Sequence, residues 1–287
     1  KSWRFLDQQR LLRDISEDKM TKITPQKIKQ MSYVDLMAFL DEVNRPPGGK
    51  DSVRILVQNC FIAKDSKVLD VGCNTGYVSF EIAHLAKCLV VGVDINENMI
   101  KVAEKIRKKY PLGHLVKFRV ADAINLPFPK ETFDAVVSGG STAFIDDKAK
   151  ALQEYKRVLK QWGFVADINF FYKKKPPAHL LKKLNSILEI RIDPWDINYW
   201  VDLYEKAGLE KYFIHIDQIQ PVSRQAVKNY CSVMASEKRL PRSVELELKE
   251  RLLKIMSIFN ENHRYLEYGV FIFRKKPEKE QVSLFGA

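Results

Sequence analysis

The chain has 287 residues, 46% of them hydrophobic and 29% charged, with a net charge of +12. That length and apolar content can bury a sizeable core in one large or two modest domains, while no apolar run approaches the roughly 18–20 residues of a membrane span. Cys60, Cys73, Cys88 and Cys231 lie far apart and the five histidines are scattered, so no metal site is expected, and reduced thiols in a cytoplasmic protein are.

In chain order, residues 1–66 read as a helical cap. "MSYVDLMAFLDEV" places Met31, Val34, Met37, Leu40 and Val43 at helical spacing, with Ser32 and Asp35 forming a capping box. "NRPPGG" at 44–49 ends that helix, and "DSVRILVQNCFI" starts another. "GGK" at 48–50 is not a phosphate-binding loop, because Asp51 stands where Ser or Thr should follow the lysine.

From residue 67 to about 170 the pattern changes. The runs "KVLDV", "LVVGVDI", "LVKFRVA", "FDAVVS" and "FVADINFF" alternate with "YVSFEIAHLAK", "NENMIKVAEKIRKKY" and "DKAKALQEYKRVLK". Continuous apolar strands alternating with helices predict a parallel sheet covered on both faces. Beyond 172, "KKKPPAHLLKKL" reads as a basic connector and "WDINYWVDLYEKAGL" as a helix ending at Gly208. Then come a strand "YFIHID", helices at about 224–237 and 242–262, and a last strand "LEYGVFIFRKK". Residues 277–287 read as a flexible polar tail.

The first βα turn, "VLDVGCNTG", carries the ligand question. A strand, a tight turn and a helix bring backbone N–H groups beside a ligand. A dinucleotide needs G-x-G-x-x-G so that the backbone can approach its pyrophosphate. Here Gly72 is the first glycine, Asn74 replaces the second and Tyr77 the third. S-adenosylmethionine has no pyrophosphate, and Asn is among the best non-glycine residues at positive φ. The turn therefore suits a sulfonium cofactor better than NAD or FAD.

Asp94 ends the second strand in "VVGVDI", 22 residues after Gly72, then Asp122 ends the third in "FRVADAINLPF", followed by the segment "LPFPKETFDAVVS". This ordered series resembles the class I S-adenosylmethionine-dependent methyltransferases, in the branch of ubiquinone- and menaquinone-type and other small-molecule enzymes. The resemblance covers about 67–170. It implies an α/β fold: a Rossmann-like seven-stranded sheet with helices on both faces, an N-terminal helical cap and a helical insertion before the last strand. The methyltransferase domain would span 67–276, with substrate-side insertions at about 178–208 and 221–265. It further implies that Asp70, Gly72 and Gly76 line the methionine end of S-adenosyl-L-methionine, with Cys73, Asn74 and Ser138 in the same site. Asp94 would bind ribose, Ile95 or Met99 would flank adenine, and Asp122 and Ala123 would recognise its edge. "KQWGF" departs from the family's Pro-Gly-Gly type of turn.

No shared catalytic residue follows from the family. Tyr33, Arg45 and Tyr199 are the candidates, within a polar and aromatic set that also holds Tyr172, Trp195, Asp196 and Trp200. "SGGSTAF" at 138–144 stands where base-directed enzymes carry an Asn/Asp-Pro-Pro-aromatic tetrapeptide, which disfavours that chemistry. A small-molecule or lipid-like acceptor is expected. An RNA or protein methyltransferase recruited through the basic surface stays open, as does a non-catalytic scaffold. In the tail, "QVSLF" resembles sliding-clamp peptides, with Gln281, Leu284 and Phe285 as anchors, against the alternative of a tail folded back on the domain.

Overall fold

Alternation between apolar strands and amphipathic helices is realised as a single seven-stranded sheet. The computed structural model describes residues 23–40 and 45–277. Its strands are β1 (Lys67–Val71), β2 (Leu89–Asp94), β3 (Val116–Val120), β4 (Phe133–Ser138), β5 (Leu159–Tyr172), β6 (Glu210–Gln218) and β7 (Leu266–Arg274). They lie in the order β3-β2-β1-β4-β5-β7-β6. Neighbours are parallel from β3 to β5, whereas β7 runs antiparallel to both β5 and β6. Among the described residues no helix is long and apolar enough to cross a membrane.

Strand periodicity assigns the two faces. Val68, Val90, Ala135, Val137, Ala166, Ile168, Val270 and Ile272 point to one side, against α3 (Gly49–Asn59), α4 (Tyr77–Ala86) and α5 (Glu97–Lys109). Leu69, Val71, Val93, Val136, Val165, Phe271 and Phe273 point to the other, against α6 (Lys148–Val158) and α8 (Ile197–Lys206). Adjacent residues of β1 thus enter different cores, which is the consequence of a two-residue period. Local signals set the helix starts. The Asn96 side chain accepts from Asn98 and Met99 N–H, Asp147 from Lys150 and Ser223 from Ala226, each satisfying donors that a helix leaves orphaned.

A third core stands apart from the sheet. Ile28 of α1 (Pro25–Gln30) and Leu36 of α2 (Tyr33–Phe39) pack with Val227, Cys231, Leu248 and Leu252 of α9 (Arg224–Ser236) and α10 (Arg242–Asn262). Arg251 donates to the carbonyls of Ile28 and Met31, tying the end of α1 to α10. The N-terminal helices and the late insertion therefore form one layer.

Three expectations are corrected. The "basic connector" contains α7 (Ala178–Leu188), because Leu180 and Leu184 recur at helical spacing and are buried. β3 ends at Val120, two residues before Asp122, since its pairing with β2 stops at Asp94. The segment with Trp195, Asp196, Tyr199 and Trp200 does not join the substrate-side layer. It packs on the sheet, where Trp200 is fully buried and donates to the Phe170 carbonyl. "KQWGF" forms an excursion at the start of β5, where the register jumps from Phe133–Leu159 to Ala135–Phe164 and Trp162 takes φ 61°. Residues 278–287, with the clamp-like string at Gln281, Leu284 and Phe285, lie outside the described residues.

Candidate functional site

The strand order locates the site. From β1 the chain winds outward through β2 to β3, then returns to β4 on the other side of β1. Open α/β sheets bind ligands in the crevice at the carboxyl ends of the strands where the order reverses. Here that crevice lies between the turn after β1 and the loop after β4.

The turn is held from several directions. Gly72, Asn74 and Gly76 have φ of 66°, 50° and 93°, so Asn74 takes the left-handed conformation expected of it. The Cys73 N–H donates to the Val93 carbonyl at 2.9 Å, and Gly76 to the Cys73 carbonyl at 2.8 Å. Thr75 N–H donates to the Asn74 side chain at 2.7 Å. A side chain at Gly76 would lie 2.6 Å from Phe118, and one at Gly72 would lie 2.2 Å from Ser141. Both glycines are therefore demanded by space as well as by φ. Gly76 caps α4 without a side-chain hydrogen bond, leaving the N–H groups of its first turn without a side-chain acceptor.

Asp94 links the turn to the next strand. Oδ2 accepts from Asn74 N–H and Oδ1 from Asn96 N–H, both at 2.9 Å. The cap of α5 is Asn96, so Asp94 is not the cap. Burial raises the Asp94 pKa, and the two N–H donors oppose that rise. Each carboxylate oxygen retains a lone pair for a further donor.

Asp70 lies deeper, fully buried on β1. Desolvation pushes its pKa up to about 7, while the Ser79 hydroxyl, at 2.5 Å from Oδ2, pulls it down. Its Oδ1 has no hydrogen-bond partner, and neither does the Thr75 hydroxyl. Orphaned buried polar atoms are rare and costly. Two of them beside the same turn fit a site that awaits a ligand with its own polar groups. Cys73 is no nucleophile, since burial and the neighbouring Asp70 and Asp94 charges hold its thiol well above the usual range.

The adenine-side candidates are arranged differently. Ile95 is 70% exposed at the end of β2, whereas Met99 is buried in the first turn of α5. Asp122 accepts from the Ile124 N–H at 3.1 Å and makes a tight turn closed by Asn125, with Ala123 packed against the sheet core. Across the crevice, Ser138 at the end of β4 is buried, 2.9 Å from the Ser141 hydroxyl, which in turn donates to the Val71 carbonyl at 2.6 Å. Ser141 was missed in the sequence, where "SGGSTAF" served only to exclude a motif.

The three catalytic candidates are not brought together. Tyr33 packs edge-on against Phe259 in the helical layer, and Tyr199 stacks on Trp195 at the other face of the sheet. Arg45 is exposed beside Pro46, which would lie 3.7 Å from a side chain at Gly139 in the loop after β4. The Arg45 charge also acts on Tyr77 at the start of α4, whose hydroxyl burial pushes up to about 12. Of the three, only Arg45 is near the crevice.

Comparison with known proteins agrees with this geometry. A methyltransferase-domain family model matches residues 69–166. A demethylmenaquinone methyltransferase of Lysinibacillus sphaericus is 31% identical over 177 residues, covering 54% of this chain and 74% of its own length. The solved structure of the MccD protein has a TM-score of 0.72 at 29% identity, covering 81% of this chain and all of its own. A geranyl diphosphate C-methyltransferase of Streptomyces coelicolor shares the fold alone, with TM-score 0.59 at 17% identity over 79% of this chain and 76% of its own. The chain belongs to the class I S-adenosylmethionine-dependent methyltransferases, and S-adenosylmethionine is the cofactor of that class.

Proposed function

We propose that this methyltransferase transfers the methyl group of S-adenosyl-L-methionine to a small-molecule or lipid-like acceptor. The observation that carries the cofactor assignment is the Gly72–Gly76 turn, with the N–H of a left-handed Asn74 bonded to Asp94 and an unpaired buried Oδ1 at Asp70. In this reading Asp70, Gly72, Cys73, Asn74 and Gly76 surround the methionine end. Asp94 accepts from the ribose hydroxyls, Ile95 and Met99 flank adenine, and Asp122 and Ala123 meet its edge. When bound, the cofactor supplies a methyl group activated on a positively charged sulfur. The chain's own work is to hold an acceptor atom in line with that methyl and to exclude water, which accounts for much of the acceleration in such reactions.

The acceptor side is assigned to the layer of α1, α2, α9 and α10, with Arg45 and Pro46 over the loop after β4. Support for a small acceptor comes from the relative named for demethylmenaquinone. The test is incubation with methyl-labelled cofactor and an extract of the source organism, separated into small-molecule, protein and RNA fractions. Label in the small-molecule fraction is the expected result. Label confined to RNA or protein overturns the acceptor class, and absence of cofactor binding by calorimetry overturns the whole reading.

A further inference from the structure

β5 carries two polar residues, Asp167 and Asn169, in an otherwise apolar run "FVADINFF". Neither is needed for strand pairing, and both are 1% exposed. Asp167 stands opposite Ser138 in the β4–β5 ladder. The hydroxyl of Tyr204, fully buried on α8, donates to its Oδ2. The polar groups of Thr142, Ser138 and Asn169 also face the carboxylate and favour its charged form against the burial that raises its pKa. Even so, Asp167 Oδ1 and Asn169 Nδ2 have no hydrogen-bond partner.

The network continues to the cofactor turn. Thr142 donates to the Ser138 hydroxyl through its N–H at 3.3 Å and its own hydroxyl at 3.2 Å. Ser138 contacts Ser141, which caps the Val71 carbonyl and fills the space over Gly72. A side chain at Gly140 in this loop would lie 3.1 Å from the Ile168 carbonyl and 3.9 Å from Asn169 Oδ1. A chain of polar contacts thus runs from α8, through β5 and the loop after β4, to the end of β1.

Apolar residues would fill this volume at lower cost than a buried charge with an unsatisfied oxygen. What hydrogen bonds add is direction, because a polar network fixes the position of its members more narrowly than packing does. From this geometry we infer that Asp167 and Tyr204 are a positioning pair for the methyl-donor site. Acting through Ser138 and Thr142, they set the place of Ser141, and Ser141 locks the loop after β4 onto the end of β1.

The inference rests on the cofactor reading above, and calorimetric titration of the full chain with S-adenosylhomocysteine separates the two. Tyr204→Phe and Thr142→Val each remove one hydroxyl from a fully buried residue outside the set assigned to the cofactor, and each is expected to weaken binding by about tenfold, the scale of one hydrogen bond. Thr142→Ser, which keeps the hydroxyl, should restore binding, a rescue that mere packing would not give. Tyr204→Phe combined with Ser141→Ala should lose about as much as Ser141→Ala alone, because both act through one chain of contacts. Wild-type affinity in both Tyr204→Phe and Thr142→Val overturns the inference, as do independent, multiplying losses in the double variant. Should Tyr204→Phe not fold, the Thr142→Val and Thr142→Ser pair decides by itself. No binding by the wild-type chain overturns the cofactor reading, and with it this inference.

Discussion

Asp94 spends one lone pair of each carboxylate oxygen on the backbone before any ligand arrives. Asp94→Ala should therefore do two things: weaken S-adenosylhomocysteine binding and loosen the turn. Hydrogen bonds to charged groups contribute about 1.5–3 kcal/mol each, so an affinity loss of tenfold or more is expected, with a lower melting temperature. Unchanged calorimetric affinity would remove Asp94 from the site. Asn74 offers a sharper contrast. At φ 50°, glycine should be tolerated, whereas valine should cost about 1–3 kcal/mol of backbone strain. Equal unfolding midpoints for Asn74→Gly and Asn74→Val would show that the turn does not constrain this residue. Asp70 makes stability depend on pH. Its pKa is raised in the folded chain from the ordinary 3.8 to about 7, so its contribution is fully present below about pH 4 and is lost as the pH rises through 7. The slope is about 1.4 kcal/mol per pH unit inside that window. Asp70→Asn removes it, so the melting temperature of wild type should fall relative to that of the variant from pH 4 to 7 and then level off; a pH-independent difference would contradict the buried carboxylate.

At the scale of elements, α1 and α2 have only 6 and 7 residues. Helices this short do not persist alone in water, so their order depends on the side chains that tie them to α10. Arg251 reaches two carbonyls at the end of α1. Arg251→Ala should raise amide hydrogen exchange in residues 23–40 by an order of magnitude or more, with about 1.5–3 kcal/mol lost locally. Exchange in the β1–β4 ladder should stay as in wild type. Unaltered exchange at 23–40 would assign the anchoring to the apolar contacts of Ile28 and Leu36 instead. The existence of α2 was legible from Met31, Val34, Met37 and Leu40 at helical spacing, because that signal is local, whereas α1 was not read from the sequence. Nor was the partner of either helix. No spacing rule joins residue 28 to residue 251, and only the assembled layer does.

Across the whole molecule, all seven strands were legible, five of them in the half where strand and helix alternate and two more as "YFIHID" and "LEYGVFIFRKK". The Asp70–Asp94 constellation follows from short-range pattern, since each strand–turn–helix unit repeats one local solution. The placement of Trp195, Tyr199 and Trp200 did not follow, because an aromatic helix has the same periodicity whichever apolar surface it covers. Asp167 was not singled out within "FVADINFF", because its meaning depends on Ser138 and Tyr204, which are neighbours only through the sheet. Ligand binding should act on this assembly as one unit. At about 100 times the dissociation constant, S-adenosylhomocysteine should stabilise the chain by roughly 2.7 kcal/mol. A melting temperature insensitive to that ligand would count against a preformed crevice.

The position of β7 between β5 and β6 has a bearing on synthesis. β6 pairs with β7 and with no other strand of the sheet, yet 47 residues separate Gln218 from Leu266. At about 5–20 residues per second on the ribosome, β6 waits roughly 2–10 s for the strand that completes it. During that interval β5 also presents an open edge, with Val165 and Phe171 beside it. Such edges template association between nascent chains, so truncation or stalling before residue 266 should yield aggregates that a chaperone must hold. β7 is therefore the wedge that closes the sheet.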